Sequence, residues 1–222
     1  MVRRAGQLSQ TADYEGAIEL LERAVELDPD NAVAFTERGW ALENLGPEHA
    51  EEAQAAYEKA LALDPQSPWA REGLAHVLET RGNVEEARAI YRSIVEEFGD
   101  DRQTDPDLLE IGGWSHHRLG EHEAAEPMFR KALTIEPGRP SLGFDLALVL
   151  FHLGRPEEAL AQLEATLRTL ETADPRRHRA AVQVALDDFQ HAFIENERLG
   201  TSPEAVRALA ALESVLAVLP EP

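Results

Sequence analysis

The amino-acid sequence predicts an all-α protein, a solenoid of antiparallel helix pairs stacked in tandem. Three observations predict it. One phrase recurs five times at near-constant spacing, apolar residues fall at three- and four-residue steps on either side of a glycine turn, and X-Pro pairs punctuate the ends of the copies. The phrase is a pair such as Glu-Ala, an aromatic residue or leucine four positions on, a small or apolar residue three later, and then Asp-Pro or Glu-Pro. A single helix pair cannot bury both of its apolar faces, so such copies are stable only when stacked.

The copies run in order along the chain. Ala17 leads to Leu21, Ala24 and Asp28-Pro29, and Ala53 to Tyr57, Ala60 and Asp64-Pro65. Ala87 leads to Tyr91 and Ile94, Ala125 to Phe129, Ala132 and Glu136-Pro137, and Ala159 to Leu163 and Thr166. From Ala17 these alanines are spaced 36, 34, 38 and 34 residues, with the excess at Pro47-Glu48 and at the segment from Arg102 to Asp105. Within each copy, Gly46, Gly82, Gly120 or Gly154 separates a first helix from a second. The residue before a proline is driven out of the helical region, so Asp28-Pro29, Asp64-Pro65 and Glu136-Pro137 end second helices. This gives five repeats at about 1–31, 32–67, 68–101, 106–139 and 140–173. Gly112-Gly113 is the weak point of the fourth, because each glycine costs a helix about 1 kcal/mol relative to alanine, and a straight helix around Trp114 is not expected. After Asp174-Pro175 the pattern loosens into 176–198, with Val182, Leu186, Phe189, Phe193 and Ile194, and 203–218, with Ala205, Leu209, Leu212 and Leu216. Residues 174–222 therefore read as a degenerate sixth pair that caps the stack.

Composition narrows the function. The chain has 222 residues, no cysteine, and 42 acidic against 21 basic side chains for a net charge of -21. Such a surface repels phosphate, which argues against nucleic acid or an anionic membrane as the main partner and favours basic or neutral ligands. The missing cysteines exclude disulfides, thiolate catalysis and thiolate-bound zinc. No stretch approaches the ~20 apolar residues of a membrane span, and the Met-Val-Arg-Arg start has no apolar core behind it, so a cytoplasmic location is expected. Among the basic residues only Lys59 and Lys131 are lysine, a usage suggesting GC-rich bacterial coding.

The alanine, aromatic, alanine, proline frame resembles the tetratricopeptide repeat family, whose helix-turn-helix units of about 34 residues stack into a right-handed superhelix. The resemblance covers residues 1–173, and it implies a protein-binding scaffold whose first helices line a concave groove. Carried over by place in the repeat, it puts Val33, Thr36, Glu37, Trp40, Glu43 and Asn44 on that wall from the second repeat. Trp69, Glu72, His76, Glu79 and Thr80 follow from the third. Asp107, Glu110, Ile111, Trp114, His117 and Arg118 come from the fourth, and Ser141, Phe144, Asp145, Leu148, Phe151 and His152 from the fifth. Asp187, Gln190, Ile194, Glu197 and Arg198 would extend it. All three tryptophans fall on this face among carboxylates, which implies a basic or neutral peptide carrying an apolar side chain. Two alternatives accompany this reading: a tryptophan and glutamate cage for a small cation, and self-association as a structural module, although no homo-oligomer is indicated.

An enzyme is not expected. No His-Glu-x-x-His, Walker, Rossmann or nucleophile-elbow motif is present, and neither a metal nor an organic cofactor is called for. His116, His117 and His122 flank a turn and read as surface or cap residues. Asp188 and His191 have the three-residue spacing of carboxylate-bridged metal sites without the second copy such sites need.

Overall fold

The computed structural model describes residues 1–100, 102–170, 178–196 and 200–219, and their regular structure is helical throughout. Packing divides the chain into two compact units, Met1–Glu97 and Phe98–Pro222.

The first unit holds α1 (Val2–Gln10), α2 (Tyr14–Leu27), α3 (Ala32–Leu45), α4 (Ala50–Leu63), α5 (Pro68–Thr80) and nearly all of α6 (Val84–Phe98). Helix starts are set by side chains that accept from otherwise unpaired amides: Asp13 from Gly16 and Asn31 from Ala34, both at 3.0 Å, and Ser67 from Ala70 at 3.4 Å. Helix ends obey proline, α2 stopping at Leu27 before Asp28-Pro29 and α4 at Leu63 before Asp64-Pro65. A 3-10 turn at Pro47–His49 absorbs the extra residues between α3 and α4.

What holds α3, α4 and α5 at their separation is Tyr57. A Cβ added at Gly39 would lie 2.8 Å from the Tyr57 ring and one at Gly73 would lie 2.3 Å from it. The ring of α4 is thus inserted between two bare stretches of backbone, one on α3 and one on α5, and is fully buried. Only a glycine on each side permits this approach. Its consequence for the site is that the Tyr57 hydroxyl is held beside Gly73, within reach of Glu43.

The second unit contains α7 (Pro106–Leu119), α8 (His122–Ile135), α9 (Pro140–His152), α10 (Pro156–Leu170), α11 (Arg179–Glu195) and α12 (Pro203–Val218). Asp105 caps α7 and Ser202 caps α12. Gly120 closes α7 at φ +82 and returns its amide to the carbonyls of His116 and His117, a left-handed cap suited to glycine. The helix around Trp114 is unbroken, which corrects the expectation from Gly112-Gly113. The glycines are there for room: a Cβ at Gly112 would sit 2.6 Å from the Met128 methyl and 2.7 Å from the Phe98 carbonyl oxygen, and one at Gly113 would sit 3.1 Å from the Phe129 ring. Their intrinsic helical cost is offset by the packing they allow.

α11 packs on α9, and α12 packs on α10 and α11. Phe151 of α9 is fully buried and meets Phe189 and Phe193 of α11 edge-on, at ring centroid distances of 5.8 and 5.2 Å. Arg179 at the start of α11 donates to the Leu219 carbonyl at 2.9 Å, tying the pair together at its open end. Asp174-Pro175, expected to separate this pair from the fifth repeat, lies outside the described residues, as do Glu197 and Arg198.

Candidate functional site

In the first unit α3 carries Glu37, Trp40, Glu43 and Asn44, and α5 carries Trp69, Glu72, His76 and Glu79. The buried Tyr57 hydroxyl organises them. It donates to Glu43 at 2.9 Å, and the other oxygen of Glu43 meets Nδ1 of His76, so one carboxylate joins α3, α4 and α5. Burial, and then the charges of Glu43, Glu72 and Glu37, hold the Tyr57 phenol well above its ordinary range. Those three carboxylates therefore share one small region of negative potential. Burial also raises the carboxyl of Glu37, which has no ion-pair or hydrogen-bond partner among the described residues. One repeat further on, the Tyr91 hydroxyl donates to Glu79 at 3.4 Å.

Rings flank the acids. Trp40 is half-buried and stands edge-on to Tyr14 at 5.7 Å, and Asn44 turns back to donate to the Trp40 carbonyl at 2.8 Å. Trp69 is 41% exposed and Val33, at the same place one repeat earlier, is 60% exposed. Among the inner places of α3 and α5 there is no lysine or arginine. The nearby arginines Arg38 and Arg71 are drawn elsewhere, Arg38 to Glu22 at 3.6 Å and Arg71 to Glu97 at 2.9 Å.

The second unit departs from the expected wall. Glu110 is held by Arg139 at 2.6 Å and by the Ser141 hydroxyl at 2.7 Å, while the same guanidinium takes Asp107 at 2.5 Å and Glu136 at 2.8 Å. One guanidinium thus gathers three carboxylates and fixes their orientation within the unit. Phe144, Leu148 and Phe151 were expected on an open wall and are core residues, each at most 2% exposed. The reason is α11, which covers the side of α9 that carries Phe151. Asp145 and Arg118 remain half-buried, and Ile194 of α11 is 81% exposed.

Trp114 lies against His117 with ring centroids 5.1 Å apart. His117 in turn meets His122 and His152, each at 5.1 Å, and these two stack on one another at 4.5 Å. Three imidazoles from α7, α8 and α9 are thereby collected, where sequence reading separated His117 from His122 and gave His122 no role. Place in the repeat was the available signal: His117 is twelfth in the fourth repeat, His152 thirteenth in the fifth, and His122 opens the helix between them. The planes of His122 and His152 are 23° apart, so their in-plane lone pairs do not converge, and among the described residues no group of three or more acids and histidines is arranged to hold a metal ion. His116 is separate, paired with Glu121 at 2.7 Å and the Gly99 carbonyl at 3.0 Å.

Residues 44–104 and 117–183 match one tetratricopeptide repeat profile, and residues 8–68 match another. The chain is similar to DnaJ protein P58IPK homolog B of Oryza sativa subsp. japonica, at 20% identity over 87% of this chain and 47% of that protein. It is also similar to cellulose synthase operon protein C of Xanthomonas axonopodis pv. citri, at 26% identity over 92% of this chain and 14% of that one. The chain thus spans less than half the length of these relatives. Among solved structures, a thermophilic TPR protein of Thermus thermophilus superposes with a TM-score of 0.61 at 23% identity, over 83% of this chain and 96% of its own, a likeness of fold. No helix among the described residues is long and apolar enough to cross a membrane.

Proposed function

The chain belongs to the tetratricopeptide repeat family, whose members mediate protein–protein interactions, and we propose that the α3 and α5 face of its first unit binds a basic segment of a partner protein. The observation that carries this is the grouping of Glu37, Glu43 and Glu72 about the buried Tyr57 hydroxyl, beside the exposed Val33 and Trp69. Glu37 is the member with no internal partner among the described residues. A lysine or arginine reaching it would relieve the cost of holding a half-buried charge. Trp69 and Val33 suit an apolar side chain flanking that cation, and Trp40 supplies a further ring edge. The face has no catalytic constellation, and the role is that of a scaffold. In the second unit Trp114, Arg118 and Asp145 remain as secondary contacts, whereas Glu110, Phe144, Leu148 and Phe151 act through packing.

The test is calorimetric titration with two synthetic peptides of equal length and apolar content, one bearing arginines and the other glutamates. The basic peptide should bind and weaken as salt shortens the Debye length. Trp69→Ala should reduce its affinity by about 2 kcal/mol, the range of an interface hot spot, with helical circular dichroism intact. Equal binding of the acidic peptide would end this reading.

A further inference from the structure

We propose that His117, His122 and His152 form a proton-operated latch, closed when all three rings are neutral and opened at the first turn of α8 when one of them takes up a proton.

The geometry has three parts. The rings are in mutual contact, centroids 4.5 to 5.1 Å apart, and each comes from a different helix, so the cluster is the join of α7, α8 and α9 at one end of these helices. Next, the rings lack the acid that would stabilise an imidazolium. His76 has Glu43 and His116 has Glu121, but among the described residues these three make no ion pair, and Nδ1 of His117 and of His122 is buried there without a hydrogen-bond partner. Finally, the helix ends treat a cation unequally. His117 and His152 stand in the last turns of α7 and α9, where a positive charge is favoured, whereas His122 is the first residue of α8, where it is opposed.

The charged groups around the cluster point the same way. Burial, then His152, His122 and Arg118, hold the His117 imidazolium well below its ordinary range. Burial, His122 and Arg118 push His152 down to about 4. On α8, burial lowers His122 against a small opposing pull from Glu123. The other charged or titratable residues of α9 and of the two further elements packed on it are Asp145 on α9, Glu157, Glu158, Glu164 and Arg168 on α10, and Arg179, Asp187, Asp188, His191 and Glu195 on α11. His152 is the half-buried ring at a favourable helix end and receives the proton. The new charge then sits 4.5 Å from the His122 ring in a low-dielectric join that offers it no acid partner, and an unpaired buried ion is costly. Relief comes by moving the less favoured partner, the start of α8, into water. The amides that report this are those of Ala124 and Ala125, both bonded to the Glu121 carbonyl.

The experiment follows amide exchange, corrected for intrinsic rate, in the full chain from pH 7.5 to 3.5. Ala124 and Ala125 should lose at least ten-fold in protection through a step centred below pH 6, together with the last turn of α9. Trp114 emission, isolated in a Trp40→Phe/Trp69→Phe background, should move in the same step. A His117→Phe/His122→Leu/His152→Phe variant has no ring of the cluster left to titrate and should be flat. Constant protection in the unaltered protein, or a step retained in that variant, would overturn the latch. Should the variant fail to fold, proton NMR of the histidine Cε1–H signals in the unaltered chain decides: three rings titrating together and low support it, and three ordinary midpoints near that of a free imidazole overturn it. Stabilisation at pH 7 by one equivalent of Zn²⁺, reversed by EDTA, would overturn it in favour of a metal centre.

Discussion

The first unit has a tyrosine with a glutamate where the second has a phenylalanine with a histidine. Tyr57 and Tyr91 occupy the aromatic place of their second helices, and each hydroxyl meets the glutamate at the twelfth place of the preceding first helix, Glu43 and Glu79. In the second unit that aromatic place holds Phe129, which ends in carbon, and the twelfth place holds His117. One repeat later the pair is Leu163 and Phe151, both fully buried. The difference teaches that the identity of the twelfth residue follows the last atom of the anchor, and that it decides whether the inner face is acidic, aromatic or closed. Glu43 and Glu79 belong first to their tyrosines and only then to a ligand.

The comparison breaks most visibly at its apolar extreme. Phe151→Ala should destabilise by about 3–5 kcal/mol, the range for emptying a buried aromatic site, with loss of exchange protection confined to the second unit. Phe129→Tyr would add a hydroxyl to a fully buried site, at about 1–3 kcal/mol if it finds no acceptor; if the twelfth place is its natural partner, adding His117→Glu should recover much of the loss in a chemical denaturation cycle. The reciprocal change, Tyr57→Phe, removes one of the two partners of Glu43 and leaves it His76, and should cost about 1.5–3 kcal/mol, as for hydrogen bonds to charged groups. Recovery in neither cycle would separate the anchor from the twelfth place and dissolve the rule.

Acid should act on His152 and Glu37 with opposite sign. The folded imidazole of His152 lies near pH 4 against about 6.5 in an unfolded chain, so mainly the unfolded state takes that proton between these values. The stability that His152 contributes is therefore lost as pH falls through this window, with no more lost below it. Glu37 is raised in the fold, so the folded state holds its proton more tightly, and this contribution improves as pH falls through the raised value toward the ordinary 4.5. Accordingly Glu37→Gln should raise the melting temperature at pH 7 and do progressively less toward pH 4. The smallest effect is Trp69→Ala on stability, within about 0.5 kcal/mol for an exposed position, even as it weakens peptide binding.

Much of the fold was legible because its signals are local. Asp28-Pro29, Asp64-Pro65 and Glu136-Pro137 stop helices wherever they occur, and the glycines at 82, 120 and 154 take up positive φ at the turns. Gly112-Gly113 was misjudged because sequence states what a glycine costs a helix but not what stands opposite, here the Met128 methyl and the Phe98 carbonyl. The inner places came from repeat register, which says where a residue points and not what covers it. Phe144, Leu148 and Phe151 are closed off by packing that includes α11, and Glu110 is claimed by Arg139, 29 residues later. The histidine cluster was hidden for the same reason, since His117 and His152 are brought together only by the stacking of consecutive repeats.

The Tyr57 sandwich bears on how such chains are cut and joined. Its two bare-backbone slots, Gly39 and Gly73, lie in different sequence repeats. A chimera spliced at the apparent boundary near residue 67 would keep the ring and one slot while trading away the other, and any incoming alanine at position 73 would strike the ring. The exchangeable module is therefore out of phase with the textual repeat, running from one slot to the next, and shuffling experiments that place crossovers after Gly73 should yield folded hybrids where cuts at the proline boundary do not.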